Sequence, residues 1–526
     1  MNMDLPADWE LGSFTERAPW VLAPEQLPWR RGIDVLRLAT LRQIPALTTR
    51  RAIPPIGRLV VVVGHLLRAL VPWALRDRRH GGSVSRAGLS RRLRVAIERL
   101  GPTYIKLAQI VSSGEGIFPA ELVGEMKKCR DQVPPETFET VRSVLVAELG
   151  DLDSVFSSLD PTPLAAASIA QVHRATLRSG EDVVVKVQRP TIRTQVQRDL
   201  RVMAWIAPML VGRIPVTALA NPPALVELFA ETISEELDFR LEAQNMLDLA
   251  AVFAAVGERG YVVPRPHPSL VTRRALVMER FEGFAFDDVA LMHAEGIDTE
   301  EVVRVGMRGF TVGCMIHGIF HGDLHGGNLL VLADGRIGLL DFGITARMSP
   351  IQRSAFLKLM MTGAAGDVRG QLEAFRDLGA LPTDTDLEQV YVDLGLDQAP
   401  VDPTTMDPDQ LVGEIQHVIK ALLGYGARLP KILMLYVKNL MFLDGAIARL
   451  APNLDILGEF ANLSLHMATA YGDHIAADMG VDAGDIQVSP EAIKATFGIV
   501  DPDVTQVTYA DLQARREVIR RRIKRQ

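Results

Sequence analysis

The residues best suited to chemistry lie in two short runs, His321-Gly322-Asp323-Leu324-His325-Gly326-Gly327-Asn328 and, one hairpin later, Asp341-Phe342-Gly343. Moving a phosphoryl group requires a carboxylate beside the attacking oxygen and hard oxygen ligands that hold Mg2+ against the β- and γ-phosphates. Asp323 fits the first role, orienting or deprotonating the nucleophile, while Asn328 and Asp341 fit the second. Either run alone is a weak signal. Their order, and the turn Ala333-Asp334-Gly335 between them, make a constellation. A zinc site built from His321, Asp323 and His325 explains fewer of these residues at once.

Such a site also needs a cation for the α- and β-phosphates. Lys186 follows Val183-Val184-Val185 on a strand and suits that role, provided a carboxylate holds it in place. The stretch from Ala224 to Leu249 reads as one helix offering Glu231, Glu235, Glu236, Asp238 and Glu242, and charge alone does not choose among them. The positioning elements are legible. A β-hairpin spans Ala175 to Gln188 and turns at Ser179-Gly180, another strand covers Ala275 to Met278, and helical periodicity dominates from Thr299 apart from a hairpin at Leu329–Leu340.

Taken in order, these motifs resemble the UbiB-type, or AarF-like, atypical kinases, over roughly residues 86 to 460. Leu100–Gln109 is similar to the family's K-x-G-Q helix, with Lys106 and Gln109 matched, and that helix lies across the active site and restricts access. Ala108 stands where the family has glycine, and its methyl is expected to shift the helix packing. The run Leu164-Ala165-Ala166-Ala167-Ser168-Ile169-Ala170-Gln171-Val172 takes the place of a Gly-rich phosphate loop and should be stiffer. The resemblance implies that Glu236 and Asp238 form the E-x-D motif facing Lys106 and that Glu242 pairs with Lys186. Met278 and Glu279 match the adenine hinge. Leu324 and Gly326 replace the family's two prolines, from which a more flexible catalytic loop is expected.

The implied fold is α+β and bilobal, protein-kinase-like, with a small β-containing N-lobe carrying extra helices and a mostly helical C-lobe. The expected division is an extension over 1–85, an N-lobe over 86–285, a C-lobe over 286–475 and a C-terminal extension over 476–526. The implied cofactors are ATP or ADP with Mg2+. The implied activity is phosphoryl transfer or ATP hydrolysis supporting prenyl-lipid metabolism, with a protein Ser/Thr kinase and a nucleotide-binding scaffold for membrane-associated enzymes as alternatives.

Composition limits the setting. At 526 residues with 48% hydrophobic and 23% charged, the chain should fold into two or three packed units rather than stay disordered. Cys129 and Cys314 lack the spacing of a disulfide framework or zinc site, which suits a reducing compartment. Residues 1–100 hold 17 Arg and no Lys against 8 acids, a charge of +9 in a chain of net −7. That asymmetry points to an anionic lipid surface or acidic partner and not to nucleic acid.

The apolar run Leu59–Leu75 is interrupted by His65, Arg68 and Pro72 and is short for a span, so the helix expected over 58–75 lies on a membrane or packs on the main domain. Prolines 6, 19, 24, 28, 45, 54 and 55 should break residues 1–55 into short helices and irregular segments. Asp4, Asp8 and Glu10 argue against a cleavable secretory signal. Gly114-Glu115-Gly116 reads as a turn, Asp384–Asp409 as an acidic surface insertion, and the tail from Arg515, with seven bases and one acid, as a solvated helix end or an anionic-surface contact. No G-x-x-x-x-G-K-[ST] appears, which disfavours a P-loop enzyme. The expected location is cytoplasmic and peripheral at the inner face of the membrane, with a nucleotide, a prenyl lipid and lipid-biosynthesis enzymes as partners.

Overall fold

The run Val183-Val184-Val185-Lys186-Val187 alternates faces with the two-residue period of a strand. The computed structural model describes residues 20, 24–80, 82–112, 118–129, 133–211, 222–255, 257–396, 421–422, 424–427, 430–479 and 506–524. In it this run lies on β3 (Asp182–Gln188), at the centre of a five-stranded antiparallel sheet with β1 (Phe156–Ala166), β2 (Ala170–Leu177), β5 (Pro266–Val271) and β6 (Ala275–Glu279), ordered β1-β2-β3-β6-β5. Val183, Val185 and Val187 bury on its outer face with Val144 and Leu145 of the Phe138–Leu149 helix. The same alternation turns Val184 and Lys186 to the inner face, toward the Phe239–Ala255 helix. Gly180, at φ 104°, supplies the left-handed turn that joins β2 to β3.

A second sheet, ordered β4-β10-β9-β7, joins β4 (Tyr261–Val262), β7 (Phe284–Ala285), β9 (Leu329–Val331) and β10 (Ile337–Leu339). A ribbon of β8 (Ile319–His321) and β11 (Thr345–Arg347) completes the strands. These short pieces set the chemistry. The strand β8 ends at His321, β10 delivers Leu340-Asp341, and Thr345 pairs with His321 so that the two runs lie side by side. Gly322 is required here, because a Cβ would lie 2.6 Å from Ile344 Cγ2. Helices Thr299–Val312, Pro350–Ala365, Lys431–Leu450 and Ile456–Met479 surround this layer, and the fold is α+β and bilobal, of the protein-kinase-like kind.

Two expectations are corrected. The stretch Ala224–Leu249 is not one helix but two, Pro222–Glu236 and Phe239–Ala255. The chain turns at Leu237-Asp238, where the Asp238 carboxylate accepts the Arg240 N–H at 3.2 Å and starts the second helix. Residues 33–48 form one 16-residue helix despite Pro45, which falls in its last turn where few backbone bonds remain to be lost.

The Ile56–Leu75 helix, long and apolar enough to cross a membrane, buries Val62 and Ala69 and exposes Ile56, Val60, Leu67, Val71 and Leu75 along one stripe. The Gly114-Glu115-Gly116 turn, Asp397–Asp409 and the prolines at 6 and 19 lie outside the described residues. The tail helix Tyr509–Lys524 is described, but the side chains of Arg515, Arg520, Arg521, Arg522, Lys524 and Arg525 lie outside.

Candidate active site

Lys186 extends from the cleft face of β3, and its Nζ lies 2.6 Å from Glu242 Oε1 and 3.2 Å from Asp341 Oδ1. Glu242 can reach it because the helix break at Leu237-Asp238 begins a fresh helix aimed under the sheet. Burial alone would discharge this lysine, yet Asp341 and Glu242 hold its ammonium above the ordinary value. Burial pushes Glu242 up to about 7 against the pull of Lys186. The interior of the cleft works against an ionised Asp341, whose side chain stays 40% exposed, but Lys186 and Lys106 hold its carboxyl well below the usual range.

A second cation enters from the Pro102–Ser112 helix. Lys106 is buried, 3.0 Å from Glu236 and 4.0 Å from Asp323, and is no surface lysine. Burial pushes Glu236 up to about 7 despite Lys106, with Asp341 and Asp323 adding repulsion. Ala108 is 1% exposed and packs with Met126 and Cys129, so its methyl fills space that this chain has built to receive it. Ala108→Gly is expected to destabilise the protein by about 1–2 kcal/mol, from helix propensity and a lost buried methyl, measured as a lower thermal midpoint.

Around Asp323 the loop is tied at several points. Asn328 Nδ2 donates to the Asp323 carbonyl at 3.0 Å, and the Asp323 N–H donates to His321 Nδ1 at 3.1 Å. The Leu324 N–H donates to Asn439 Oδ1 at 3.1 Å, a bond that proline would forfeit, and a Cβ at Gly326 would meet the Asp287 carboxylate at 3.0 Å. At Leu324, where the loss of proline is expected to loosen the loop, the freed N–H is tied to Asn439. Lys438 Nζ bonds Asp323 Oδ1 from the Lys431–Leu450 helix. Burial opposes ionisation of Asp323, but Lys438 and Lys106 hold it well below the usual range.

The Ala-rich segment forms the tip of the β1–β2 hairpin, closed by the Ala167 N–H to the Ala170 carbonyl at 2.8 Å. Arg189 braces it from beneath through the Ala167 carbonyl at 3.1 Å and the Pro134 carbonyl at 3.0 Å. Leu164 and Ala165 are exposed, Ala166 and Ala167 partly so, and Ser168 is buried; Val172 pairs with Lys186 across the strands. Met278 and Glu279 end β6, where the Glu279 N–H is committed to the Arg265 carbonyl at 3.0 Å. Gln109 is partly buried on the Lys106 helix.

Asp238 departs from its expected place. It faces Arg240, which donates to its two oxygens at 3.0 and 2.8 Å, and does not face Lys106. The carboxylate is buried, 5% exposed, at the turn that starts the Phe239–Ala255 helix. Lys438 and Asn439 were missed in the sequence, although a lysine and an asparagine, the latter fully buried, interrupt an otherwise apolar run in KILMLYVKNLMFL.

The donor set suits Mg2+. Carboxylate and amide oxygens of Asp341, Glu236 and Asn328 are hard donors of the kind that Mg2+ takes alongside water and phosphate ligands. Glu236 Oε1 is buried without a hydrogen-bond partner, an orphaned acceptor on the same cleft as Asp341.

A family model described as the ABC1 atypical kinase-like domain matches residues 128–375. An uncharacterised protein of Mycobacterium tuberculosis is 34% identical over 404 residues, covering 72% of this chain and 79% of its own. An uncharacterised aarF domain-containing protein kinase of the Arabidopsis thaliana chloroplast is 33% identical, covering 69% and 72%. UbiB, a probable protein kinase of Xylella fastidiosa, is 31% identical, covering 70% and 67%. A Mycobacterium tuberculosis protein solved with erythromycin aligns at a TM-score of 0.36 and 23% identity, over 65% of this chain and 90% of that one, too slight a likeness to bear on the site. By motif order and by relatives matched over most of both chains, this protein belongs to the ABC1/UbiB family of atypical kinase-like proteins.

Proposed function

We propose that the protein binds ATP with Mg2+ and transfers or hydrolyses the terminal phosphoryl group. The observation that carries this reading is the convergence of Lys186, Glu242, Asp341 and the loop that carries Asp323 and Asn328, four separate segments, on one cleft. Lys186 would meet the α- and β-phosphates, and the hinge beyond Glu279 the adenine. Asp341, Asn328 and Glu236 would hold Mg2+, which when bound neutralises charge on the β- and γ-phosphates.

Asp323 orients the nucleophile, water or an acceptor hydroxyl. Two lysines make it a weak base, which suits a transfer that needs little proton abstraction at the outset. The nucleophile's oxygen bonds the γ-phosphorus while the bond to the β–γ bridging oxygen breaks, its electron pair leaving with ADP. The nucleophile's proton passes through Asp323 to solvent.

The pathway reading is support for prenyl-lipid metabolism, by family resemblance. The location is the cytoplasmic face of a membrane, where the exposed stripe of Ile56–Leu75 and the arginine-rich first 100 residues suit an anionic surface. Lipid-biosynthesis enzymes would meet the protein there.

A second reading, a nucleotide-binding scaffold, is favoured by one observation: Lys106 and Lys438 already neutralise Asp323. Steady-state ATP hydrolysis with Mg2+, with and without anionic vesicles, separates the two. Turnover raised several-fold by vesicles and absent in Asp341→Asn supports the enzyme. Tight nucleotide binding with no turnover on any lipid supports the scaffold, and failure to bind nucleotide removes both.

A further inference from the structure

The Ile33–Thr48 helix lies outside the segment that the family model matches, yet it reaches Asn245, whose side chain bonds the Asp341-Phe342-Gly343 turn. Its Arg37 donates to Asn245 Oδ1 at 3.1 Å, and Arg347, just beyond Asp341-Phe342-Gly343, donates to the same oxygen at 2.7 Å. A guanidinium can only donate, so two of them on one oxygen settle which end of the amide faces where. The Nδ2 end is left to the Phe342 carbonyl, which it meets at 2.9 Å. Asn245 is 4% exposed and sits one helical turn beyond Glu242, whose Oε1 accepts the Phe342 N–H at 3.4 Å. Both backbone groups of Phe342 are thus held by one helix, on either side of the residue that follows Asp341.

The network is closed on its far side. Arg347 pairs with Asp248 at 2.6 Å, Asp248 accepts from Gln244 Nε2 at 2.7 Å, and Gln244 Oε1 accepts from Arg30 Nε at 2.8 Å. Arg30 precedes the same N-terminal helix, so the extension grips the Phe239–Ala255 helix at Gln244 and at Asn245. Asn245 is thus buried beside Phe342 and oriented in part by an arginine 208 residues away in the chain.

We propose that Arg37 and Asn245 are positioning residues through which the N-terminal extension holds the Asp341 turn in its metal-binding shape, via the Phe342 carbonyl. The proposal rests on the reading of Asp341 as a Mg2+ ligand. Asn245 supplies a side-chain donor to that carbonyl, and Arg37 and Arg347 keep the donor aimed. The extension therefore completes the site without touching nucleotide.

The diagnostic variant is Asn245→Asp. A carboxylate of the same shape keeps both arginines, so folding is preserved, but it has no donor for the Phe342 carbonyl. Two readouts are taken on the full chain: amide hydrogen exchange over residues 339–347 without ligand, and Mn2+ binding in the presence of ADP followed by electron paramagnetic resonance. Asn245→Asp is expected to speed exchange at Phe342 and Gly343 and to weaken Mn2+ about 3- to 10-fold, with a cooperative unfolding transition whose midpoint falls by only a few degrees. Arg37→Met should do the same to a smaller extent, because Arg347 remains, and Arg37→Lys should restore part of the loss.

Unchanged exchange and unchanged Mn2+ affinity in Asn245→Asp would overturn the proposal. Mn2+ binding absent from the wild type would instead sink the assignment of Asp341, and the brace would then be judged by exchange alone: faster exchange in Asn245→Asp upholds it, and equal exchange ends it.

Discussion

Asp323→Asn is expected to lower ATP turnover by about 10²- to 10⁴-fold while nucleotide affinity stays within a few-fold, because in the proposed mechanism the side chain serves the attacking oxygen and not the nucleotide. Lys438→Met tests how the aspartate is tuned. With Lys438 and Lys106 beside it, Asp323 is held ionised well below the ordinary carboxylate range. A group with a depressed folded-state value adds stability above its unfolded value and loses it only as pH falls through the folded value. In the wild type the turnover profile should therefore show no acid limb from Asp323 near neutrality. Removing Lys438 lets burial push the carboxyl up, so the acid limb should move to higher pH as turnover at neutral pH drops. Equal pH profiles for the wild type and Lys438→Met would remove Lys438 from this role.

The residues of the proposed site were legible because they are local. Asp323 and Asn328 share one loop, Asp341 follows within a hairpin, and Lys186 announces itself as a charge after three valines on a strand. A two-residue period places that lysine on the inner face, and nothing further is needed to aim it at the cleft. Glu242 and Glu236 were reachable only through family resemblance, since the helix break that separates them turns on a capping interaction at Asp238 that looks in sequence like one more acid on a solvated face.

Lys438, Asn439 and Arg37 were not legible. Each is carried to its partner by packing between elements distant in the chain, 115 residues in the case of Lys438 and Asp323. Helical periodicity says which residues share a face but not what that face meets. The departures at Ala108, Leu324 and Gly326 teach the same lesson. Read locally they predict a shifted helix and a looser loop. In the folded chain Met126 and Cys129 receive the methyl, Asn439 takes the Leu324 N–H, and Asp287 fills the space beside Gly326.

Lys186→Met should destabilise the protein by up to about 3–5 kcal/mol, and the deficit should depend on pH. Glu242 is 2% exposed at its side chain and loses its 2.6 Å partner in this variant. An unpaired buried carboxylate escapes most of the penalty by taking a proton. Burial already pushes Glu242 up to about 7 with the lysine present, so without it the value lies higher still. The sign follows from a raised folded-state value. Stability from such a group is fully present below the unfolded carboxylate value and is lost as pH rises through the folded one. The deficit of Lys186→Met relative to wild type should therefore be small near pH 6 and largest near pH 9, where the buried charge is forced. Adding Glu242→Gln removes that charge, and the double variant should recover most of the loss at pH 9 but little at pH 6. Thermal unfolding of the three proteins at the two pH values decides it: a deficit independent of pH, or no recovery in the double variant, would mean that Lys186 acts on the fold through Asp341 or packing rather than through Glu242.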